Sequence, residues 1–343
     1  LHVDAGAQTV VVAAGAEPMA QQLYEIPLSG GAPRALVSSP GFHDATFSPR
    51  GDAYAHKIQK EKAPLAVSVR TRDGKLSGHL PVAPLPFLPR VQIAKTGPSG
   101  FWSALVYPRD FDPHKRYPVL VLVYGGPHVN VVRAQPRLYL KAQWYADHGF
   151  IVAAVDGQGT PGRGRAFERA LFQKFADVPL AGQVEGLLAL ARREPAMDLS
   201  RVGIFGASFG GYLAALAVMR RPDVFHAAVA AAPVSDWLDY DTHYTERYLG
   251  VPSAQHNAST VVYAQNGLLA YTHGLSRPLL VIHGTADDNV HFKHSLKLAD
   301  ALFRAHKEFT FLPMPGKTHN LEAADTVAEF HVRVLGFFQR ALR

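Results

Sequence analysis

The sequence predicts an α/β protein whose mostly parallel sheet has helices on both faces, preceded by a smaller antiparallel region. From about residue 91 onward, apolar runs without alternation are followed by longer segments of helical periodicity, the pattern of strands buried on both faces. In residues 1–90, short strand-like runs and turn signals follow each other at even spacing, which favours antiparallel sheet. A proline-rich stretch at residues 81–89 separates the two regions, so we predict domains at 1–90 and 91–343.

The first ninety residues are predicted to be part of a β-propeller. The predicted strands are residues 9–13, 22–27, 45–47, 53–56 and 65–70. The stretch from Phe47 to Tyr54 resembles the hairpin between the first two strands of a propeller blade. Ninety residues supply only about two blades, and blades bury their faces against neighbours around a closed ring. We therefore expect these to be the last blades of a longer propeller.

Strands and helices are predicted to alternate in the second region. The predicted strands are residues 102–107, 119–124, 150–155, 202–205, 227–231, 279–282 and 309–312. The predicted helices are residues 138–148, 182–193, 212–221, 294–306 and 326–343.

A glycine-flanked serine joins one of these strands to the next helix. Gly206, Ser208 and Gly210 fit G-x-S-x-G, the nucleophile elbow of the α/β-hydrolase fold. A Cβ at either glycine would collide with the neighbouring chain in so tight a turn, and the serine backbone is strained. The turn points the serine hydroxyl out of the sheet at a helix amino end, which favours developing negative charge. Ser208 is the predicted nucleophile.

Two later strands run into loops that supply an acid and a base. Asp287 and Asp288 follow the strand at 279–282, and His319 follows the strand at 309–312 and a Pro-Gly turn. The order serine, acid, histidine is that of α/β-hydrolases. Spacing alone does not choose between the two aspartates. His283 is expected to brace the acid loop through a hydrogen bond.

The tetrahedral intermediate of such a reaction needs two hydrogen-bond donors. One is predicted to be the backbone N–H of Phe209, the residue after the nucleophile. The second is predicted in the loop after the strand at 119–124, where Gly125 and Gly126 follow Tyr124. The alternatives are an ordinary turn at the strand end and a purely packing role for Tyr124.

Composition excludes several other classes of function. The formal charge is +7, but the basic residues are spread along the chain, so nucleic-acid binding is not expected. There is no cysteine, which excludes disulfides, thiolate catalysis and cysteine-based metal sites and leaves the compartment open. His291 and His294 lack a third ligand nearby, so neither a metal nor a cofactor is predicted. No apolar run approaches the length of a membrane span.

Four longer motifs give a family resemblance that covers about residue 95 to the end. They lie at residues 206–212, 232–237, 240–250 and 283–291. Together they resemble the dipeptidyl peptidase IV branch of the prolyl oligopeptidase family of serine peptidases. The resemblance implies a peptidase that acts through an acyl-enzyme on peptides with proline or alanine at the second position. Such an enzyme releases the first two residues as a dipeptide. It also implies a possible homodimer.

The resemblance assigns roles position by position. It selects Asp287 over Asp288 as the acid and places the Tyr124 hydroxyl beside the Phe209 N–H in the oxyanion hole. It also implies that Asn289 binds a substrate carbonyl. It implies an apolar pocket for a proline ring or alanine methyl, walled by Val234, Trp237, Tyr240, Tyr244, Phe209 and Val290. The sequence departs from the family in Phe209, where tyrosine is usual, and in Asn320, where glycine is common. The glutamate pair that grips the substrate amine in the family's propeller has no counterpart in this sequence.

Two other hypotheses stay open at this point. One is a broader esterase or acylaminoacyl-type peptidase, which a short propeller with an open site would give. The other is a non-catalytic peptide-binding scaffold on the same fold, against which the joint presence of Ser208, Asp287 and His319 argues.

Overall fold

A computed structural model describes residues 2–37, 39–252 and 257–343. Within these residues the strands form two four-stranded antiparallel sheets and one eight-stranded mixed sheet. No helix in the described part of the chain is long and apolar enough to cross a membrane.

The two antiparallel sheets are built from the first eighty residues, and in each the strands are neighbours in chain order. The first contains β1 (His2–Asp4), β2 (Thr9–Ala14), β3 (Gln22–Pro27) and β4 (Arg34–Ala35). The second contains β5 (Phe42–Phe47), β6 (Ala53–Lys60), β7 (Ala63–Thr71) and β8 (Leu76–Leu80). Leu23, Ala45 and Tyr54 form a small buried core between them. Four-stranded antiparallel units of this kind are consistent with propeller blades, as predicted.

The eight-stranded sheet begins after residue 90. Its strands are β9 (Val91–Thr96), β10 (Phe101–Val106), β11 (Tyr117–Val123), β12 (Ile151–Asp156), β13 (Met197–Ala207), β14 (Ala227–Ala231), β15 (Leu279–Gly284) and β16 (Thr310–Met314). The order across the sheet is β16-β15-β14-β13-β11-β12-β10-β9. Strand β10 pairs antiparallel with β9 and β12, and all other pairs are parallel.

Helices cover both faces of this sheet. They are α1 (Leu140–Ala146), α2 (Arg165–Arg169), α3 (Val178–Ala191), α4 (Phe209–Arg220), α5 (Thr242–Leu249), α6 (Asn257–Asn266), α7 (Lys293–Arg304) and α8 (Ala324–Ala341). Short 3-10 turns occupy Pro136–Tyr139, Trp237–Asp239 and Leu268–Gly274. Helices α3, α4 and α7 pack into one apolar core, and α1 and α8 pack into the core of the opposite face. The predicted fold class is confirmed.

The structure departs from the predicted elements in a few places. The helix predicted at residues 138–148 is a 3-10 turn followed by the shorter α1, and β13 begins five residues before the predicted strand. Helices α2, α5 and α6 are not among the predicted helices; α5 spans only eight residues, which is shorter than the stretch over which helical periodicity is normally read. Its start does carry a signal, since the Asp241 carboxylate caps it by accepting from the Tyr244 N–H at 2.8 Å.

Parallel pairing brings the catalytic candidates to one edge of the sheet. Strands β11, β13, β15 and β16 all point the same way, so their carboxyl ends lie side by side. Tyr124 follows β11, Ser208 follows β13, Asp287 follows β15 and His319 follows β16. In α/β sheets this edge is where ligands bind.

Candidate active site

Ser208 occupies a sharp, strained turn between β13 and α4. Its φ of 60° and ψ of −122° lie in a region that residues with a Cβ rarely adopt. A Cβ at Gly206 would collide with the backbone of Gly210, and a Cβ at Gly210 would collide with the backbone oxygen of Val123. Only glycine fits at these two positions, as predicted from the motif.

Neighbouring backbone holds the strained serine in place. The Ser208 N–H donates to the Ala231 carbonyl of β14 at 2.9 Å, and the Ser208 carbonyl accepts from the Tyr212 N–H at 2.9 Å. The Ser208 side chain is half-buried at the amino end of α4. Its hydroxyl is therefore presented at a helix end that favours negative charge.

Asp287 and His319 meet through their side chains. Asp287 Oδ2 lies 2.8 Å from His319 Nδ1, and the Asp287 side chain is only 1% exposed. Asp288 is exposed, and its Oδ1 lies 3.4 Å from the backbone N–H of His319. The geometry therefore sets Asp287, rather than Asp288, against the imidazole.

A second histidine supports the same carboxylate. His283 Nε2 lies 3.2 Å from Asp287 Oδ2 and 2.8 Å from the Val290 carbonyl, while His283 Nδ1 lies 2.7 Å from Ser295 Oγ. Because both partners of Nε2 are acceptors, Nε2 carries the proton and Nδ1 accepts from the serine hydroxyl. The predicted bracing role of His283 is confirmed.

The Asp287 carboxylate is ionised and accepts hydrogen bonds on both oxygens. Burial raises its pKa, but the hydrogen bonds from His283 and His319 oppose burial and hold the pKa of Asp287 well below its usual range. The Asn289 N–H also donates to Oδ1 at 2.9 Å. An acceptor at this place requires His319 Nδ1 to carry a proton, which leaves Nε2 as the basic nitrogen.

Ser208 and His319 share the same edge without a direct hydrogen bond. In the described ranges no hydrogen bond joins Ser208 Oγ to the imidazole, while Ala207 and His319 line one cavity of about 300 Å³. Catalytic hydrogen bonds are often long before substrate binds and tighten in the complex. Asp287 and His319 are thus paired at the sheet edge where Ser208 also lies.

The two predicted oxyanion donors, the Tyr124 hydroxyl and the Phe209 N–H, belong to residues whose rings are neighbours. The Tyr124 ring centroid lies 5.9 Å from that of Phe209. Burial raises the pKa of Tyr124 to about 12, so its hydroxyl stays protonated and able to donate near neutral pH. Phe209 begins α4, where the first backbone N–H groups have no partner within the helix.

The predicted pocket residues form one aromatic cluster. Trp237 stacks on Tyr244 with ring centroids 6.3 Å apart, and Tyr240 packs edge-on against Tyr244 at 5.5 Å. Tyr240 and Tyr244 are half-buried, whereas Val234, Trp237 and Val290 are at most 1% exposed. Tyr240 and Tyr244, which we call the aromatic wall, are therefore the more accessible members of the predicted pocket, and Val234, Trp237 and Val290 lie in the core.

Asn289 is tied to this wall. The Tyr240 hydroxyl donates to Asn289 Oδ1 at 2.8 Å. Asn289 is also exposed to solvent.

Sequence reasoning missed a buried aspartate that positions the Tyr124 loop. Asp156 ends β12 and is 1% exposed; its two oxygens accept from the Val131 and Val132 N–H groups at 2.9 and 3.0 Å. Burial raises its pKa to about 7. The available signal was a charged residue at the end of an apolar strand, directly before Gly157.

The same loop is joined to α5 by a contact that no sequence signal foretold. His128 has a φ of 70°, and its Nε2 lies 2.6 Å from the Tyr248 hydroxyl. The two residues are far apart in the chain, so their spacing carries no information.

This chain is similar to proteins of one known family. The family model described as the prolyl oligopeptidase family matches residues 136–343. Dipeptidyl peptidase 8 from Homo sapiens is 32% identical over 345 residues, covering 95% of this chain and 38% of that protein. Prolyl endopeptidase FAP from Mus musculus is 32% identical over 259 residues, covering 74% of this chain and 33% of that protein.

A solved structure agrees with the fold. Porphyromonas gingivalis dipeptidyl peptidase 4 superposes with a TM-score of 0.88 at 29% identity, covering 99% of this chain and 49% of that one. The chain spans less than half the length of each of these relatives.

The two adjacent aspartates are separable by mutation. We expect Asp287→Asn to slow fluorophosphonate labelling of Ser208 about 10³-fold or more, because an amide no longer fixes the Nδ1–H tautomer. Asp288→Asn should slow it less than about threefold, because Asp288 is exposed and touches only backbone. Labelling rates from intact mass measure both, and equal losses would contradict the assignment of the acid.

Asp156 should make stability depend on pH. Its folded pKa of about 7 lies above the usual value of about 3.9, so the folded chain retains a proton that the unfolded chain has lost. This stabilisation is complete below about pH 4 and is lost as pH rises to about 7, at up to about 1.4 kcal/mol per pH unit. Unfolding free energies measured across this range should fall more steeply in the unmodified chain than in Asp156→Asn. Parallel profiles would rule out the shift.

Proposed function

Because the chain belongs to the prolyl oligopeptidase family, we propose that it is a serine peptidase that releases N-terminal dipeptides with proline or alanine in the second position. The observation that carries this proposal is the 2.8 Å contact between buried Asp287 and His319, at the edge where the elbow presents Ser208. Dipeptidyl peptidases among the relatives support the substrate class.

In the first half of the reaction the dipeptide is transferred to the serine. His319 Nε2 takes the proton of Ser208 Oγ as Oγ attacks the carbonyl carbon of the second residue. The carbonyl electron pair moves onto oxygen, and this oxyanion accepts from the Phe209 N–H and the Tyr124 hydroxyl. The C–N bond then breaks, and the imidazolium gives its proton to the leaving amine.

Water completes the second half. His319 Nε2 takes a proton from water as the water oxygen attacks the ester carbonyl. The second tetrahedral intermediate collapses, the bond to Ser208 Oγ breaks, and the imidazolium returns the proton to Oγ. Asp287 stays ionised throughout and stabilises the imidazolium in both halves.

The aromatic wall accounts for the small or cyclic residue beside the scissile bond. A proline ring is compact and rigid, so it gains contact with the rings of Tyr240 and Tyr244 at little entropic cost. Because Asn289 Oδ1 accepts from Tyr240, its Nδ2 group is oriented to donate to a substrate carbonyl.

The proposal is tested with alanyl-proline 4-nitroanilide. The chain should release nitroaniline, Ser208→Ala should lower kcat by at least about 10³-fold, and an N-acetylated substrate should react more slowly. Undiminished turnover by Ser208→Ala would exclude the acyl-enzyme mechanism. Equal turnover of the blocked substrate would exclude only dipeptide release. A preference for short-chain esters over the anilide would favour the broader esterase.

Steady-state kinetics can test whether the Tyr124 hydroxyl is an oxyanion donor. Removing it in Tyr124→Phe should lower kcat about 10²-fold or more with KM changed less than about threefold, because an oxyanion donor acts mainly in the transition state. Tyr248→Phe removes a hydroxyl that is bonded to His128 and is the matched control. If Tyr124→Phe raised KM and left kcat intact, the hydroxyl would be a substrate-binding group.

A further inference from the structure

A lysine lies where two cavities meet beside Ser208. The Tyr124 cavity, about 360 Å³, is lined by Tyr124, Gly206 and the mostly apolar side chains around them. The His319 cavity, about 300 Å³, is lined by His319 and Asp287 among others. Both cavities share three lining residues, which are Lys141, Phe205 and Ala207. Lys141 therefore stands at their junction, next to the residue that precedes the nucleophile.

These cavities lie mainly on the opposite side of the sheet from the aromatic wall. Phe205 and Ala142, which line the Tyr124 cavity, belong to the core that α1 and α8 cover. Phe209, Val234 and Trp237 belong to the core of the other face. When the proline ring of a substrate contacts Tyr240 and Tyr244, these cavities are still free to bind the rest of the peptide.

The chemistry places the leaving group on the same side. His319 must hand its proton to the leaving amine, so the residue after the scissile bond lies next to the imidazole. The cavity lined by His319 is the space that adjoins this position. The apolar walls of the Tyr124 cavity offer room for an adjoining side chain.

Lys141 is available to an anion. Among the described residues it forms no hydrogen bond or ion pair, and it stays accessible to solvent through the cavities. Desolvation by the surrounding protein lowers the pKa of Lys141. Asp287 lines the His319 cavity, but its oxygens already accept from three donors. His331 has its pKa lowered to about 4, chiefly by burial, and is neutral at pH 7.

We propose that Lys141 binds the terminal carboxylate of a short leaving group, so that the chain prefers substrates ending one or two residues after the scissile bond. The inference rests on the proposed function and extends it to the leaving side. A carboxylate is the anion that every unmodified peptide carries at its end, and a lysine ammonium forms charge-assisted hydrogen bonds with it. In a longer peptide this group would lie beyond the reach of Lys141.

The test compares alanyl-prolyl-alanine with its C-terminal amide. The unmodified chain should hydrolyse the free acid with a kcat/KM roughly tenfold above that of the amide, about the value of one charge-assisted hydrogen bond. Lys141→Met should bring this ratio near one, and Lys141→Arg should retain most of it. Arg137→Met removes the same charge from an exposed position nearby and should keep the ratio.

Anilide hydrolysis distinguishes a failure of the proposed peptidase function from a failure of the carboxylate site at Lys141. It needs no terminal carboxylate, so it shows that each variant is folded and active. If the unmodified chain failed to hydrolyse the anilide and both tripeptides, the proposed function would fall and this inference with it. Suppose instead that the unmodified chain hydrolysed the anilide but showed an acid-to-amide ratio of kcat/KM near one. That result, or a ratio that stayed high in Lys141→Met, would overturn only the carboxylate site.

Discussion

The site depends on one buried carboxylate. Burial disfavours a charge, and Asp287 remains ionised because His283, His319 and the Asn289 N–H donate to its two oxygens. Asp287 and the Val290 carbonyl fix the tautomer of His283, and Ser295 Oγ holds its other ring nitrogen, so the carboxylate beside His319 is itself held by a fixed donor. Each member of this network restricts the proton position of the next. The result is a single basic nitrogen, His319 Nε2, at the sheet edge where Ser208 lies.

The sheet fixes the relative positions of the loops that carry the site residues. Parallel strands that are buried on both faces fix their carboxyl ends, so loops far apart in sequence start from neighbouring points. The strain at Ser208 is tolerated because Ala231 and the glycine contacts around Val123 hold the turn from both sides. The loop that carries Tyr124 is anchored by Asp156 from the next strand. Stability of the sheet and geometry of the site are therefore coupled.

The sequence alone predicted those parts of this site that are encoded in a short, continuous motif. The elbow was predictable because only glycine fits at Gly206 and Gly210, and the strand ends were predictable from apolar runs. The acid was not settled by spacing, since adjacent aspartates differ only in burial, which the fold decides. Asp156 and the contact between His128 and Tyr248 depend on pairings between distant segments. Helix α5 was not predicted because it spans only eight residues, too few for helical periodicity to be read with ease.

The central claim is that Ser208 attacks a carbonyl whose neighbouring ring rests on the aromatic wall. A crystal structure of the chain reacted with an alanyl-proline boronic acid tests it most directly, because boron forms a tetrahedral adduct with the nucleophile. The account predicts boron bonded to Ser208 Oγ, a boronate oxygen within hydrogen-bond distance of Tyr124 Oη and the Phe209 N–H, and the pyrrolidine ring against Tyr240 and Tyr244. An adduct on another residue, or a ring bound away from these tyrosines, would contradict it.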